Sequence, residues 1–249
     1  MKLLNRWLTR FKCLYLNSFS EEEGIFLDYS SRVEIPVTCR IALVSPYAEV
    51  SGPLEKAFAY LSLSEINETS PHFAGLPAEV LIAFKPRWKS WLVEISHPRW
   101  EELFEKEIAY ALEKGFSNFF VDTVDGVEEL CSARPSQCFL YRKAVRKLLE
   151  RLRRLSPGKI FVNRGLSVYR EIADLIDGVL IESFFFDVDG SGWRKRGSEE
   201  MEWLWRRVEE FLEDGKEIYA LDYAPEARAK QGILRKIALR RGVIWDVAD

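Results

Sequence analysis

Five apolar runs in this chain each end in a side chain that can donate, accept or transfer a proton. Phe119-Phe120-Val121 leads to Asp122, Ile160-Phe161-Val162 to Asn163, Val179-Leu180-Ile181 to Glu182, Tyr219-Ala220-Leu221 to Asp222, and Val243-Ile244-Trp245 to Asp246. A short apolar run closed by a polar residue is how a buried parallel strand delivers a functional group to the open end of a sheet. Parallel α/β proteins collect their chemistry at those carboxyl ends, so the five residues read as the rim of one site. Two carboxylates on one rim suit the cleavage of a glycosidic bond. One acid protonates the leaving oxygen while the other attacks or activates water, with the pair about 5–5.5 Å apart for retention and about 6.5–9.5 Å for inversion. Each acid taken singly has a plainer role, capping the following helix or pairing with Arg164. Five polar strand ends around one rim are harder to explain by capping alone.

Other chemistries find less support. Neither His72 nor His97 stands at such a strand end and no Gly-x-Ser-x-Gly occurs, which argues against Ser-His-Asp catalysis. Cys13, Cys39, Cys131 and Cys138 form no C-x-x-C pair, so neither a zinc site nor any other bound metal or cofactor is expected. A metal-dependent hydrolase using Asp122, Asp125 and Asp222 ranks last. Cys131 and Cys138 flank Pro135 and either close a small disulfide loop or remain free thiols. A net charge of −3 offers nothing for nucleic acid to bind. The apolar N-terminus is broken by Asn5, Arg6, Arg10 and Lys12, which argues against a signal peptide, and no run approaches the roughly 20 apolar residues of a membrane span. The expectation is a monomeric cytoplasmic protein without membrane or nucleic-acid partners. Charged residues make up 30% of the chain, a composition that suits the ion-pair networks of a heat-adapted source.

The elements that must position these residues alternate. Strands are expected at 40–44, 58–63, 80–84, 119–122, 160–163, 179–182, 217–222 and 243–246, with a short extended piece at 91–95. Helices are expected at 98–114, from 140 to before Pro157, and at 167–176, 198–212 and 225–240, with Ser96 and Ser198 as caps for two of them. The segment from Ser51 to Phe58 is too short for a helical crossover, so the first βα unit is abbreviated. Eight strands in this rhythm indicate a single-domain (β/α)8 TIM barrel over 41–249, with 1–40 as an extension or cap in which 24–29 is a strand or part of that cap. On this count Asp122 ends strand four and Glu182 strand six, and alternate strands feed one layer of the barrel interior. The basic face of the helix after residue 140, with Arg142, Arg146, Lys147, Arg151 and Arg153, reads as a solvated surface paired with neighbouring acids. Tyr60, Trp88, Trp91, Trp193 and Tyr223 fall on or near the upper loops, where aromatic faces can stack on sugar rings. The stretch Asp187–Trp193 lacks a calcium-loop pattern and reads as a mobile substrate loop.

Several of these stretches together resemble a known family. Ala59-Tyr60-Leu61-Ser62-Leu63-Ser64-Glu65, Trp91 to Trp100, Gly115 to Asp125, Asn163-Arg164-Gly165, Asp177 to Ser183, and Leu221-Asp222-Tyr223 occur in the order seen in glycoside hydrolase family 114, the endo-α-1,4-polygalactosaminidase-like TIM barrels. The resemblance spans roughly residues 40 to 246. It implies a catalytic pair of Asp122 and Glu182, taken here as nucleophile and general acid/base, the reverse assignment also being open. By the same resemblance Tyr60, Glu65, Asn163, Asp222 and Tyr223 line the sugar subsites and a carbohydrate is the partner. Ser64 in place of a Gly, Glu94 in place of an Asp, and the shortened first unit depart from the family pattern and bear on the substrate. The alternative is a carbohydrate-binding barrel without catalysis.

Overall fold

The computed structural model describes residues 24–189 and 192–248. Residues 1–23 with Cys13, most of the expected extension, and Gly190-Ser191 in the expected substrate loop lie outside them. In chain order the elements begin with β1 (Ile25–Asp28), β2 (Arg32–Glu34), β3 (Ile41–Val44), β4 (Glu49–Ser51), β5 (Ala57–Ser62), β6 (Glu65–Asn67), β7 (Leu81–Lys85) and β8 (Ser90–Val93). They continue with α1 (Pro98–Glu113), β9 (Asn118–Asp122), α2 (Gly126–Ala133), α3 (Cys138–Leu155), β10 (Ile160–Asn163), α4 (Tyr169–Ile172), β11 (Gly178–Glu182), β12 (Phe186–Asp189) and β13 (Gly192–Lys195). The chain closes with α5 (Ser198–Glu213), β14 (Glu217–Asp222), α6 (Pro225–Ala229), α7 (Gln231–Leu239) and β15 (Val243–Val247).

Eight strands pair in parallel in the order β1-β3-β5-β9-β10-β11-β14-β15, with the helices outside, which makes the fold a (β/α)8 TIM barrel. Carried through the seven register pairings, Ile25 falls level with position 238. The side chain it meets across the seam is Asp246, eight residues further along, through a 3.3 Å bond from the Ile25 amide to Asp246 Oδ2. That offset matches the shear of about 8 that closes a TIM barrel.

Two strand assignments differ from the sequence reading. Ile25–Asp28 is the first barrel strand, so the boundary expected at residue 41 cuts it from its own sheet. The stretch expected as a third barrel strand, 80–84, instead forms β7, which pairs antiparallel with β8 in a separate sheet ordered β6-β8-β7. A parallel barrel strand needs both faces covered, whereas Ala83 and Phe84 are exposed, and only four residues separate β7 from β8, enough for a hairpin and too few for a crossover. One strand gained and one lost leave Asp122 on the fourth barrel strand and Glu182 on the sixth. The abbreviated start is present: no α-helix intervenes among β1, β3 and β5, and the parallel pair β2–β4 lies between them instead.

The barrel interior is packed by side chains two apart in sequence. Ile25 and Leu27, Ile41 and Leu43, Phe58, Phe120, Phe161, Leu180, Tyr219 and Leu221 form one buried cluster. The ring of Phe161 sits 4.6 Å from that of Phe58 and 5.4 Å from that of Tyr219, closing the barrel with aromatic surface. Alternating with these, Phe119, Val121, Val162, Val179, Ile181 and Ala220 belong to the outer core beneath the helices. The basic face of α3 is paired as expected: Lys147 meets Glu101 and Arg151 meets Glu105 on α1, while Arg142 meets Glu171 and Arg146 meets Asp174 on the far side. Both helix caps fall one residue from the expected serines. The His97 imidazole accepts from the Arg99 amide at the start of α1, and Gly197 precedes α5 with Glu200 accepting from its amide.

Candidate active site

The strand period decides which rim residues reach the interior. Asp122 is two residues beyond Phe120, Asn163 two beyond Phe161, Glu182 two beyond Leu180, and Tyr60 two beyond Phe58, so all four continue inward-pointing series. They meet above the aromatic floor. Asp122 Oδ2 accepts from the Tyr60 hydroxyl at 2.8 Å, and Oδ1 accepts from Asn163 Nδ2 at 2.8 Å and from the Thr123 amide at 2.7 Å. Three donors converging on one carboxylate hold it fixed and suit its charged form. Glu182 Oε1 accepts from the Tyr223 hydroxyl at 2.7 Å. Desolvation pushes the Glu182 carboxyl above the usual range and the negative charge of Asp122 pushes it further, while the Tyr223 hydroxyl, the Asn163 amide and the Arg164 guanidinium oppose the shift. Asn163 donates to Asp122, and its Oδ1 is buried without a hydrogen-bond partner among the described residues. The two carboxyls have different surroundings: Asp122 accepts from three donors, whereas Glu182 accepts from the Tyr223 hydroxyl and is pushed up by burial.

The backbone turns sharply after each of these strands. Thr123, Arg164 and Ser183, each immediately following a rim residue, have φ of 58°, 57° and 55°. A left-handed β-branched residue is an outlier that its surroundings must enforce. At Thr123 they do so: its Oγ1 lies 2.9 Å from Ser62 Oγ and accepts from the Ser64 amide at 3.0 Å, and its carbonyl accepts from Ser64 Oγ at 2.6 Å. Gly126 leaves room for Ser64, since a Cβ at Gly126 would stand 2.0 Å from the Ser64 hydroxyl. Ser64 is thus accommodated by a missing side chain opposite. Gly165, φ 65°, donates its amide to Asp125 Oδ1 at 2.9 Å, and Asp125 also pairs with Arg164 at 3.2 Å, tying the loops after β9 and β10 together.

Asp222 does not join the site. It is two residues beyond outward-facing Ala220 and wholly buried, and its carboxylate accepts from the Phe185 and Phe186 amides and from Trp245 Nε1. Burial pushes it up to about 6 against those donors and nearby Arg196. It anchors the loop that follows Glu182 and cannot line a sugar subsite, because no surface of it faces the interior. Asp246 is likewise spent, on the barrel seam and on Arg235 at 3.1 Å. Glu65 lies on β6 beside the rim, where it accepts from Lys85 Nζ at 2.6 Å and Ser90 Oγ at 2.5 Å. Asp122, Asp125 and Asp222 do not converge as a metal site would require, and among the described residues no three His, Cys, Asp or Glu side chains are grouped to hold an ion.

This chain shares its fold with solved structures. The glycoside hydrolase domain of PelA from Pseudomonas aeruginosa superposes with a TM-score of 0.72 at 22% identity, covering 90% of this chain and 93% of that one. Ega3 from Aspergillus fumigatus, in complex with galactosamine, superposes at 0.65 and 11% identity, covering 94% of both chains. No curated protein matches the chain by sequence. The model of Glycoside-hydrolase family GH114 matches residues 45–243. The chain belongs to that family.

As a GH114 glycoside hydrolase, the chain carries further features around the acids. Asp187–Trp193, expected as a loop, is largely the antiparallel hairpin β12–β13, and Asp187 is committed to Arg196 at 2.9 Å. Trp193 on that hairpin stacks on Tyr223 at 6.3 Å, so the hairpin packs on the residue that bonds Glu182. Trp88 stands instead in the turn between β7 and β8, and Trp91 on β8, donating to Glu68. Tyr29 was missed altogether: it follows β1 and sets its ring edge-on against Tyr60, with centroids 5.1 Å apart. The signal was present, since Tyr29 continues the inward series Ile25, Leu27. An open groove of about 600 Å³ lined by Arg170, Arg207, Glu210 and Asp214 lies among outer helices, apart from this chemistry.

Proposed function

We propose that this GH114 protein cleaves an α-linked, galactosamine-containing polysaccharide with retention, using Asp122 as nucleophile and Glu182 as general acid/base. The observation that carries this reading is the inward-facing pair on the fourth and sixth barrel strands, with Asn163 donating to Asp122 and Tyr223 to Glu182. Retention requires the two carboxyls to stand about 5–5.5 Å apart, against about 6.5–9.5 Å for inversion. The role assignment follows the surroundings: Asp122 takes three donors and is ready to attack, whereas burial and the Asp122 charge keep a proton on Glu182 for the leaving oxygen. Once the glycosyl bond to Asp122 forms, Glu182 is the anion that draws a proton from water and Asp122 is released. An amino sugar fits because its ammonium groups complement the charge of Asp122 on the rim, and galactosamine is the sugar bound to the Ega3 neighbour. The reaction as drawn needs no cofactor and only one copy of the chain.

The test is hydrolysis of a de-N-acetylated α-1,4-galactosaminan followed by chromatography of the shortened chains. Asp122→Asn and Glu182→Gln should each lower turnover by about 10³-fold or more while leaving the circular dichroism spectrum unchanged. Proton NMR of the first product should show the α anomer; a β anomer would make the enzyme inverting and Asp122 a base. Saturable binding of the polymer without cleavage would identify a binding barrel instead.

A further inference from the structure

We propose that Tyr29 is a substrate-contacting residue whose hydroxyl donates to the sugar held between Asp122 and Glu182. The argument begins with strand parity. Ile25 and Leu27 point into the barrel, and Tyr29, two residues further and just past the carboxyl end of β1, carries that series onto the rim. Its ring meets Tyr60 edge-on at 5.1 Å and 69°, and Tyr60 in turn donates to Asp122, so Tyr29 stands next to the reacting groups.

The three tyrosines gathered at the site differ in one respect. Tyr60 donates to Asp122 and Tyr223 to Glu182. The Tyr29 hydroxyl donates to neither, and it hydrogen bonds to no other described residue, while 39% of the residue's surface remains exposed. Burial of the hydroxyl, and after it the nearby carboxyls of Asp122 and Glu182, push the phenol up, so it remains a donor throughout the working pH range. An exposed aromatic ring with a spare donor beside a carboxylate pair suits a pyranose, which offers an apolar face and acceptor oxygens together. Fixed by its contact with Tyr60, such a donor costs little ordering when substrate arrives.

This inference rests on the hydrolase reading above, and Tyr29→Phe separates the two. Because the hydroxyl has no partner in the described protein, Phe keeps the ring contact and should leave the melting temperature unchanged. Steady-state hydrolysis of galactosaminan oligosaccharides by the full chain should then show kcat/KM lowered by about 10- to 100-fold, the loss of one directed hydrogen bond. Binding of the same oligosaccharides to Asp122→Asn, with and without Tyr29→Phe, divides the loss between ground state and transition state. Wild-type cleavage with Tyr29→Phe equally active overturns the role of Tyr29 and leaves the hydrolase reading standing. Neither cleavage nor binding by the wild type overturns both.

Discussion

At the residue scale the proposed mechanism depends on two carboxyls, Asp122 and Glu182, kept chemically unlike. Tyr223 is the sharpest probe of that difference, because its hydroxyl stabilises the charged form of Glu182 and opposes the upward shift caused by burial and by Asp122. In Tyr223→Phe the Glu182 carboxyl should therefore rise further. Since Glu182 must be protonated to act as acid, the alkaline limb of the kcat/KM profile should move to higher pH than in the wild type, with a lower plateau. A downward or absent displacement would remove Glu182 from the acid role. Asp122 and Glu182 were legible in the sequence because each closes an apolar run. Asp222 closes one too, yet lies on the outer face, because a strand alternates its faces at every residue. Reading the strand ends together with the parity of the core residues below them would have excluded Asp222 and found Tyr29.

At the element scale the notable feature is the left-handed turn repeated after β9, β10 and β11. A left-handed residue costs about 1 kcal/mol or somewhat more, and Gly removes that cost. Among the described residues the Ser183 side chain has no hydrogen bond to set against it, whereas Thr123 has its hydroxyl engaged by Ser62 and by the Ser64 amide. Ser183→Gly should thus be neutral or stabilising by up to about 1 kcal/mol, and Thr123→Gly destabilising by about 1 kcal/mol, as two hydrogen bonds outweigh the relief. Urea midpoints at constant slope would report both; a stabilised Thr123→Gly would show that those bonds do not hold the turn. No periodicity announces such a turn, since Thr and Ser are not residues that demand positive φ. Elsewhere the elements were legible as far as burial governed them. The 80–84 run is apolar enough for a barrel strand and was drawn into a hairpin by its neighbour 90–93, a pairing that sequence alone does not reveal. The Cys131–Cys138 pair, open between thiols and a bridge in the sequence, is a disulfide joining the end of α2 to the start of α3.

At the scale of the whole molecule, Asp222 links β14, β15 and the loop after β11 through one buried carboxylate. Asp222→Asn, which replaces an acceptor of several bonds by an amide, should cost about 2–4 kcal/mol in unfolding free energy. The pH dependence has a definite sign. With a folded value of about 6 and an unfolded one near 3.9, the folded state holds the extra proton between them. Wild-type stability from this group is complete below about pH 4 and is lost as pH rises to about 6, a slope that the Asn variant lacks. Thermal melts of both proteins from pH 4 to 7 measure it, and parallel profiles would show that Asp222 does not titrate there. No helix among the described residues is long and apolar enough to cross a membrane. The sequence by itself determined the barrel class, the fourth and sixth strands as carriers of the acids, and the family likeness, because apolar runs, helical periods and short motifs are local properties of the chain. Only the tertiary structure decided that the barrel begins at Ile25, that Asp222 faces away from the site, and that Tyr29 faces into it. Those facts depend on which strands pair and with what stagger around a closed sheet, and a closed sheet is settled by contacts between residues more than two hundred positions apart, such as Ile25 and Asp246.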